Sequence, residues 1–135
     1  MASEKSFELR IITPDRVFYE GSVEMVEMDT KEGAIGVYKS HVPTTCILRP
    51  GILTIHMEGN EKKQAALHSG FVEVLKDRVT VLAEAAEWPQ EIDVERAKQA
   101  KERAEARLQD RSTDMDTLRA EMALRRAITR IKAAK

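Results

Sequence analysis

Asp93-x-x-Arg96, at the head of a helix-forming stretch, is the first pattern in the chain with chemical content. A carboxylate in that place accepts an unsatisfied backbone N–H of the first helical turn. Arg96 and Arg103 stand seven residues apart and so share one helical face. Arg126 and Arg130 stand four apart and share another. If the two helices fold against each other, four guanidiniums can meet in one pocket. Their planar forks match phosphate oxygens in pairs and stay charged at every working pH. Four adjacent arginines repel one another without a ligand, and a triphosphate would turn that repulsion into a clamp. No Gly-rich Walker loop and no evident hydrolytic base accompany them, so the chemistry indicated is binding and sensing.

Other reactive residue types form no such pattern. His56 and His68 have no partner at metal-ligand spacing and read as strand residues, and His41 reads as a turn histidine beside Pro43. Cys46, in Thr45-Cys46-Ile47-Leu48, reads as a small core hydrophobe, with no histidine in a nucleophile motif. Arg119, Arg125, Arg126 and Arg130 make the last stretch a cationic rod, which in most proteins is simply a solvated face.

The elements that must position these residues change character at Trp88-Pro89. All six aromatic residues and all six glycines lie at or before Trp88, and residues 90–135 contain neither type and no proline. Residues 1–89 carry a net charge of −4 and residues 90–135 a net charge of +3. The division predicts two domains, 1–89 and 90–135, with Trp88 as a packing plug between them.

The first reads as an α+β protein's β half, an antiparallel sandwich or flattened barrel of short strands. Strands are expected at 7–11, 16–20, 22–28 (with a bulge where the apolar parity shifts), 52–57, 63–68, 71–75 and 79–82. Breaks are expected at Gly21-Ser22, at Arg49-Pro50-Gly51 as a type II turn, at Glu58-Gly59-Asn60-Glu61 and at Lys76-Asp77-Arg78.

The second domain reads as an antiparallel hairpin of two helices joined by a connector at 110–114, with Ser112, Thr113 and Asp114 as caps. Val94, Ala97, Ala100, Lys101, Ala104 and Leu108 form the first helix's stripe. Met115, Leu118, Met122, Ile128 and Ile131 mark the second. At about 0.8 kcal/mol per buried CH₂, a seam made mostly of alanine holds by only a few kcal/mol. Such an arm can open while the sandwich stays folded.

Composition removes several classes. The whole chain of 135 residues is near neutral, at −1, which excludes a uniformly basic nucleic-acid coat. A single cysteine excludes an intramolecular disulfide framework and fits a reducing compartment. No uncharged run approaches the ~20 residues of a bilayer span, and no apolar leader follows Met1. A nucleic-acid-binding hairpin is disfavoured because Glu91, Glu95, Glu102 and Glu105 interrupt the basic residues and the helices offer no aromatic for stacking. A small hydrolase lacks an assembled nucleophile, base and orienting residue. A stand-alone nucleotide-sensing module with another output remains the alternative to the reading below.

The ordered strings Gly36-Val37-Tyr38-Lys39-Ser40-His41-Val42-Pro43, Ser69-Gly70-Phe71-Val72-Glu73-Val74 and Val79-Thr80-Val81-Leu82-Ala83-Glu84, followed by Trp88-Pro89 and a charged hairpin, resemble the epsilon subunit of bacterial F-type ATP synthase. Lys39 departs from the proline that relatives usually carry there. The resemblance implies a non-catalytic central-stalk subunit requiring no cofactor. Its sandwich would grip the gamma subunit and sit on the ring of c subunits, through Glu32 and His41. Its hairpin would lie folded or extend toward the alpha and beta subunits through Arg119, Arg125, Arg126 and Arg130, hindering ATP hydrolysis. Ile92-Asp93-Val94-Glu95-Arg96-Ala97 matches the motif of members that bind ATP as a regulatory ligand. The resemblance places Glu87, Ile92, Asp93, Arg96, Arg103, Arg126 and Arg130 at that nucleotide, with Glu87 accepting from the adenine amino group and the need for magnesium open. Localisation would be the cytoplasmic side of a bacterial cell membrane, peripheral and through the complex.

Overall fold

The computed structural model describes residues 4–110 and 114–134, with side chains of the second helix described from residue 117 onward. Eight strands form an N-terminal β-sandwich, and two helices packed together follow it. The strands are β1 (Phe7–Thr13), β2 (Arg16–Val23), β3 (Met25–Thr30), β4 (Gly33–Val37), β5 (Thr44–Leu48), β6 (Gly51–His56), β7 (Lys62–Val74) and β8 (Arg78–Glu87). A turn of 3₁₀ helix at Pro89–Glu91 leads into α1 (Val94–Asp110) and α2 (Asp114–Ala133).

Alternation builds the sandwich. In β1, Phe7, Leu9, Ile11 and Thr13 point inward and are buried while Glu8 and Arg10 face out. The same period buries Val72 and Val74 of β7 and Val79, Val81 and Ala83 of β8. Strand order β2-β1-β8-β7-β5-β3-β4 carries the sheet from one layer to the other, and β6 bridges β3 and β7. The pairings are antiparallel except β1 with β8, which is parallel. Trp88 packs on the sandwich core, stacked on Phe18 at 4.2 Å with Tyr19 edge-on.

Several local expectations are corrected. Gly21-Ser22 does not end a strand: Gly21 pairs Leu9 and Ser22 pairs Glu8 inside β2. The strand expected over 22–28 is divided at Glu24, and the bulge lies instead between Ile11 and Ile12. Ser69-Gly70 does not interrupt β7, because Gly70 lets β8 approach. An added Cβ would lie 2.8 Å from the Ala83 Cα and collide with the Leu82 carbonyl oxygen. Arg49-Pro50-Gly51 is not a type II turn, since Gly51 is buried in β6 without positive φ. The turn at 58–61 is present, with Gly59 and Asn60 both in left-handed conformation. β4 and β5 were not foreseen.

The hairpin's seam also differs from expectation. Ala97 and Ala104 of α1 are buried as expected, but the buried residues of α2 are Ala120, Ala127, Thr129 and Ala133. Leu118 is 62% exposed. Small residues seven apart on both helices allow close approach of the two backbones. The larger residues Met122, Leu124 and Ile128 line a groove beside Pro50 and Ile52 of the sandwich. α2 is thus the helix laid on the sandwich, along β6 and β7. The connector caps Ser112 and Thr113 lie outside the described residues, as do the side chains of Asp114 and Met115.

Candidate functional site

Three segments converge where the sandwich meets the hairpin. β8 ends at Glu87, the 3₁₀ turn supplies Glu91, and Asp93 immediately precedes α1. The Asp93 Oδ1 accepts the backbone N–H of Arg96 at 3.1 Å, a true N-cap. Glu87, Glu91, Asp93, Arg96, Ala97, Ala100, Arg103 and Arg130 then enclose a recess of about 390 Å³. A second recess of about 480 Å³ shares Glu87, Glu91 and Arg130 with it. Both volumes lie in the range of small-molecule sites.

Of the residues expected at a nucleotide, Glu87, Asp93, Arg96, Arg103 and Arg130 line this recess. Ile92 and Arg126 do not line it; Ile92 is half-buried in the turn before α1. The four-arginine pocket is therefore three arginines, and one of them is paired with a carboxylate. Arg130 Nε donates to Glu87 Oε1 at 2.7 Å, so the hairpin's cation is neutralised by the sandwich. Glu87 Oε1 also accepts from His68 Nε2 at 2.9 Å.

The carboxylates in the recess are already engaged. Burial by itself would raise the Glu87 pKa, but hydrogen bonds from Arg130 and His68 outweigh it and hold the carboxyl below its ordinary value. Glu91 accepts from Arg16 Nη2 at 2.9 Å and from the Trp88 backbone N–H at 2.8 Å, and both lower its pKa. Asp93 caps α1. Among the described residues, Arg96 and Arg103 have no ion-pair partner. Their guanidiniums are available to a polyanion, with Arg130 reaching from the other helix.

Glu91 and His68 escaped the sequence reading. Glu91 carries a local signal, an acid three residues after Trp88 that returns to cap the turn. His68 carries none. It is 2% exposed yet outside the sandwich's core cluster, on a strand that α2, far away in sequence, packs against. Burial is the largest influence on its imidazole and pushes the pKa below 6.5; the Glu87 bond opposes this, and Arg130 and Arg126 reinforce it.

The remaining expected residues lie elsewhere. Arg125 Nε donates to the Pro50 carbonyl at 2.9 Å, tying α2 to the turn between β5 and β6. Arg119 is exposed and Arg126 half-buried. Glu32 sits in the exposed turn between β3 and β4, and His41 in the loop after β4, where its Nδ1 donates to the Val42 carbonyl at 2.8 Å. They flank opposite ends of the edge strand β4. Cys46 is half-buried against the core, and His56 pairs with Glu27. No group of three His, Cys, Asp or Glu among the described residues could hold a metal ion. No described helix is long and apolar enough to cross a membrane.

Comparison with known proteins finds one family along the chain. Residues 6–89 match the family model described as ATP synthase, Delta/Epsilon chain, beta-sandwich domain. Residues 90–135 match that of the long alpha-helix domain of the same chain. The ATP synthase epsilon chain of Caldanaerobacter subterraneus subsp. tengcongensis is 47% identical over 132 residues, 97% of this chain and 95% of the relative. That of Shouchella clausii is 49% identical over 130 residues, 96% of each. Among solved structures, a chain of the Euglena gracilis mitochondrial ATP synthase, resolved with OSCP, F1 and c-ring, superposes with a TM-score of 0.83 at 29% identity, over 96% of this chain and 81% of that one. A chain from the Tetrahymena thermophila mitochondrial central stalk and c-ring shares the fold, with a TM-score of 0.67 at 17% identity over the full length of both.

Proposed function

The chain belongs to the ATP synthase delta/epsilon family as an epsilon chain, a non-catalytic subunit, and on that premise we propose that it is a central-stalk subunit whose hairpin restrains ATP hydrolysis when released and is held folded by ATP. The observation that carries this reading is the composite recess. Its walls come from β8, the 3₁₀ turn, α1 and α2 at once, so it exists only while the hairpin is folded. A ligand bridging those walls stabilises the folded arm by mass action, by about 2.7 kcal/mol at 100 times its dissociation constant. That matches the few kcal/mol expected of an alanine seam.

The phosphates fall to Arg96, Arg103 and Arg130, and the adenine amino group to Glu87, with Ile92 and Arg126 as flanking residues. The magnesium requirement is part of the same test. Arg125 and Arg130 are engaged by Pro50 and Glu87 in the folded arm, so extension would free them, with Arg119 and Arg126, to meet the alpha and beta subunits. One set of arginines then serves either the nucleotide or the catalytic head.

The sandwich supplies the fixed contacts. Ile47, Phe71 and Leu82 lie in one row across β5, β7 and β8 and are 55%, 44% and 38% exposed. A dry partner surface such as gamma would cover them. A ring of c subunits lying along the β4 edge would touch both Glu32 and His41, placing the subunit peripherally on the bacterial membrane.

Removing residues 90–135 should leave assembly with gamma intact and raise hydrolysis by the complex. If hydrolysis stays suppressed, the hairpin is not the inhibitor. Failure to co-purify with gamma and the ring would favour the stand-alone nucleotide sensor.

A further inference from the structure

His68 is a buried imidazole that the reading above does not use. It lies on β7 opposite Ala85, and Glu87 is two residues further along β8. Diagonal neighbours on one sheet face are within reach of a long side chain. The Nε2–H donates to Glu87 Oε1, and the same oxygen receives Arg130 from α2. One carboxylate oxygen thus joins β7, β8 and the hairpin, and among the described residues Oε2 makes no hydrogen bond. Among the described residues His68 Nδ1, which is buried, has no hydrogen-bond partner. A lone pair there is tolerable, whereas an N–H there would be an unmet buried donor.

We propose that His68 is a positioning residue that holds Glu87 for Arg130 and for the nucleotide, and that protonation of its ring releases the hairpin. The nucleotide half of this rests on the function proposed above; the hairpin half does not.

The charges facing the ring are Glu87 on β8 and Arg126 and Arg130 on α2. Protonation places a third cation beside the two arginines, divides the Glu87 charge between imidazolium and Arg130, and puts a proton on the unpartnered Nδ1. Undocking α2 uncovers His68 and removes both arginines, so the ring binds its proton more readily in the open arm. By linkage the closed arm is favoured at neutral pH. It is lost as the pH falls below the ordinary histidine value of about 6.5 and on through the lower value of the closed state, by at most tenfold per pH unit.

The test follows the isolated chain by NMR from pH 8 to 5. It reads the His68 ring titration and the docked and undocked populations of α2 amides without nucleotide. In the unaltered chain α2 should undock in step with the ring. His68→Gln keeps an N–H for Glu87 and cannot titrate, so its arm should stay docked and pH-independent. His68→Val removes the donor and should shift docking roughly 5- to 20-fold toward open, without pH dependence. The terminal phosphate of ATP itself protonates over this range, so calorimetry should give affinities that fall with pH more steeply in the unaltered chain than in either variant, and that are weaker for the valine variant than for the glutamine one. A ring that titrates while α2 stays docked overturns the proposal even if both variants misfold. So does a valine variant that docks as tightly as the unaltered chain. No ATP binding at any pH would end the nucleotide reading, and the amide populations would still decide the role of His68.

Discussion

Arg130→Ala isolates the tie between hairpin and sandwich. The substitution removes a 2.7 Å charge-assisted hydrogen bond to Glu87 and leaves the carboxylate with His68 alone. Hydrogen bonds to charged groups contribute about 1.5–3 kcal/mol. The Arg130 and Glu87 side chains are 33% and 25% exposed, so solvent screening brings this one down to about 1–2 kcal/mol. The helix itself tolerates alanine well, and the seam residues Ala120 and Ala127 are untouched. The open fraction of the arm should rise roughly 5- to 30-fold, since each 1.4 kcal/mol is a factor of ten. Native-state trypsin cleavage within α2 reads that fraction directly when opening is fast compared with cutting. Cleavage at Arg119, Arg125 and Arg126 should accelerate by this factor, while sites within β7 and β8 stay resistant. An unchanged rate in α2 would refute the tie, and equal acceleration in the strands would mean that arm and sandwich unfold together.

Ala104→Leu overfills the alanine seam and should cost the hairpin about 1–3 kcal/mol, seen as earlier loss of helical circular dichroism. Gly70→Ala forces β7 from β8 and should lower the melting temperature of the sandwich itself, unlike any hairpin substitution. Glu87 has its carboxyl pKa lowered in the folded state, so its contribution is present above about pH 4.5 and fades as the pH falls through the folded value. Acid titration of Glu87→Gln should lack that component; an identical acid profile would show that the carboxylate does not stabilise the fold.

Much of the architecture was legible because burial alternates in β1 and through the first part of β8, and α1 carries its cap and stripe in consecutive sequence. β4 was not legible. Gly33-Ala34-Ile35-Gly36-Val37 is an edge strand that buries only Val37, so no apolar period marks it. On α2 the conspicuous Leu118, Met122 and Ile128 suggested a helix–helix seam. In fact, small residues set helix–helix approach, and the larger ones either cover the sandwich or face solvent. Within the site, local spacing found Asp93, Arg96 and Arg103, whereas the bond from Arg130 to Glu87 and the burial of His68 depend on contacts across 43 and more positions that no spacing rule reports.

Amide exchange across α1 and α2 of the isolated chain, with and without saturating ATP, bears most directly on the arm as a nucleotide-held clasp. ATP should slow exchange throughout 94–134 and leave the strands of the sandwich unchanged. Identical exchange in both conditions would leave the sandwich's fixed contacts as the subunit's whole contribution.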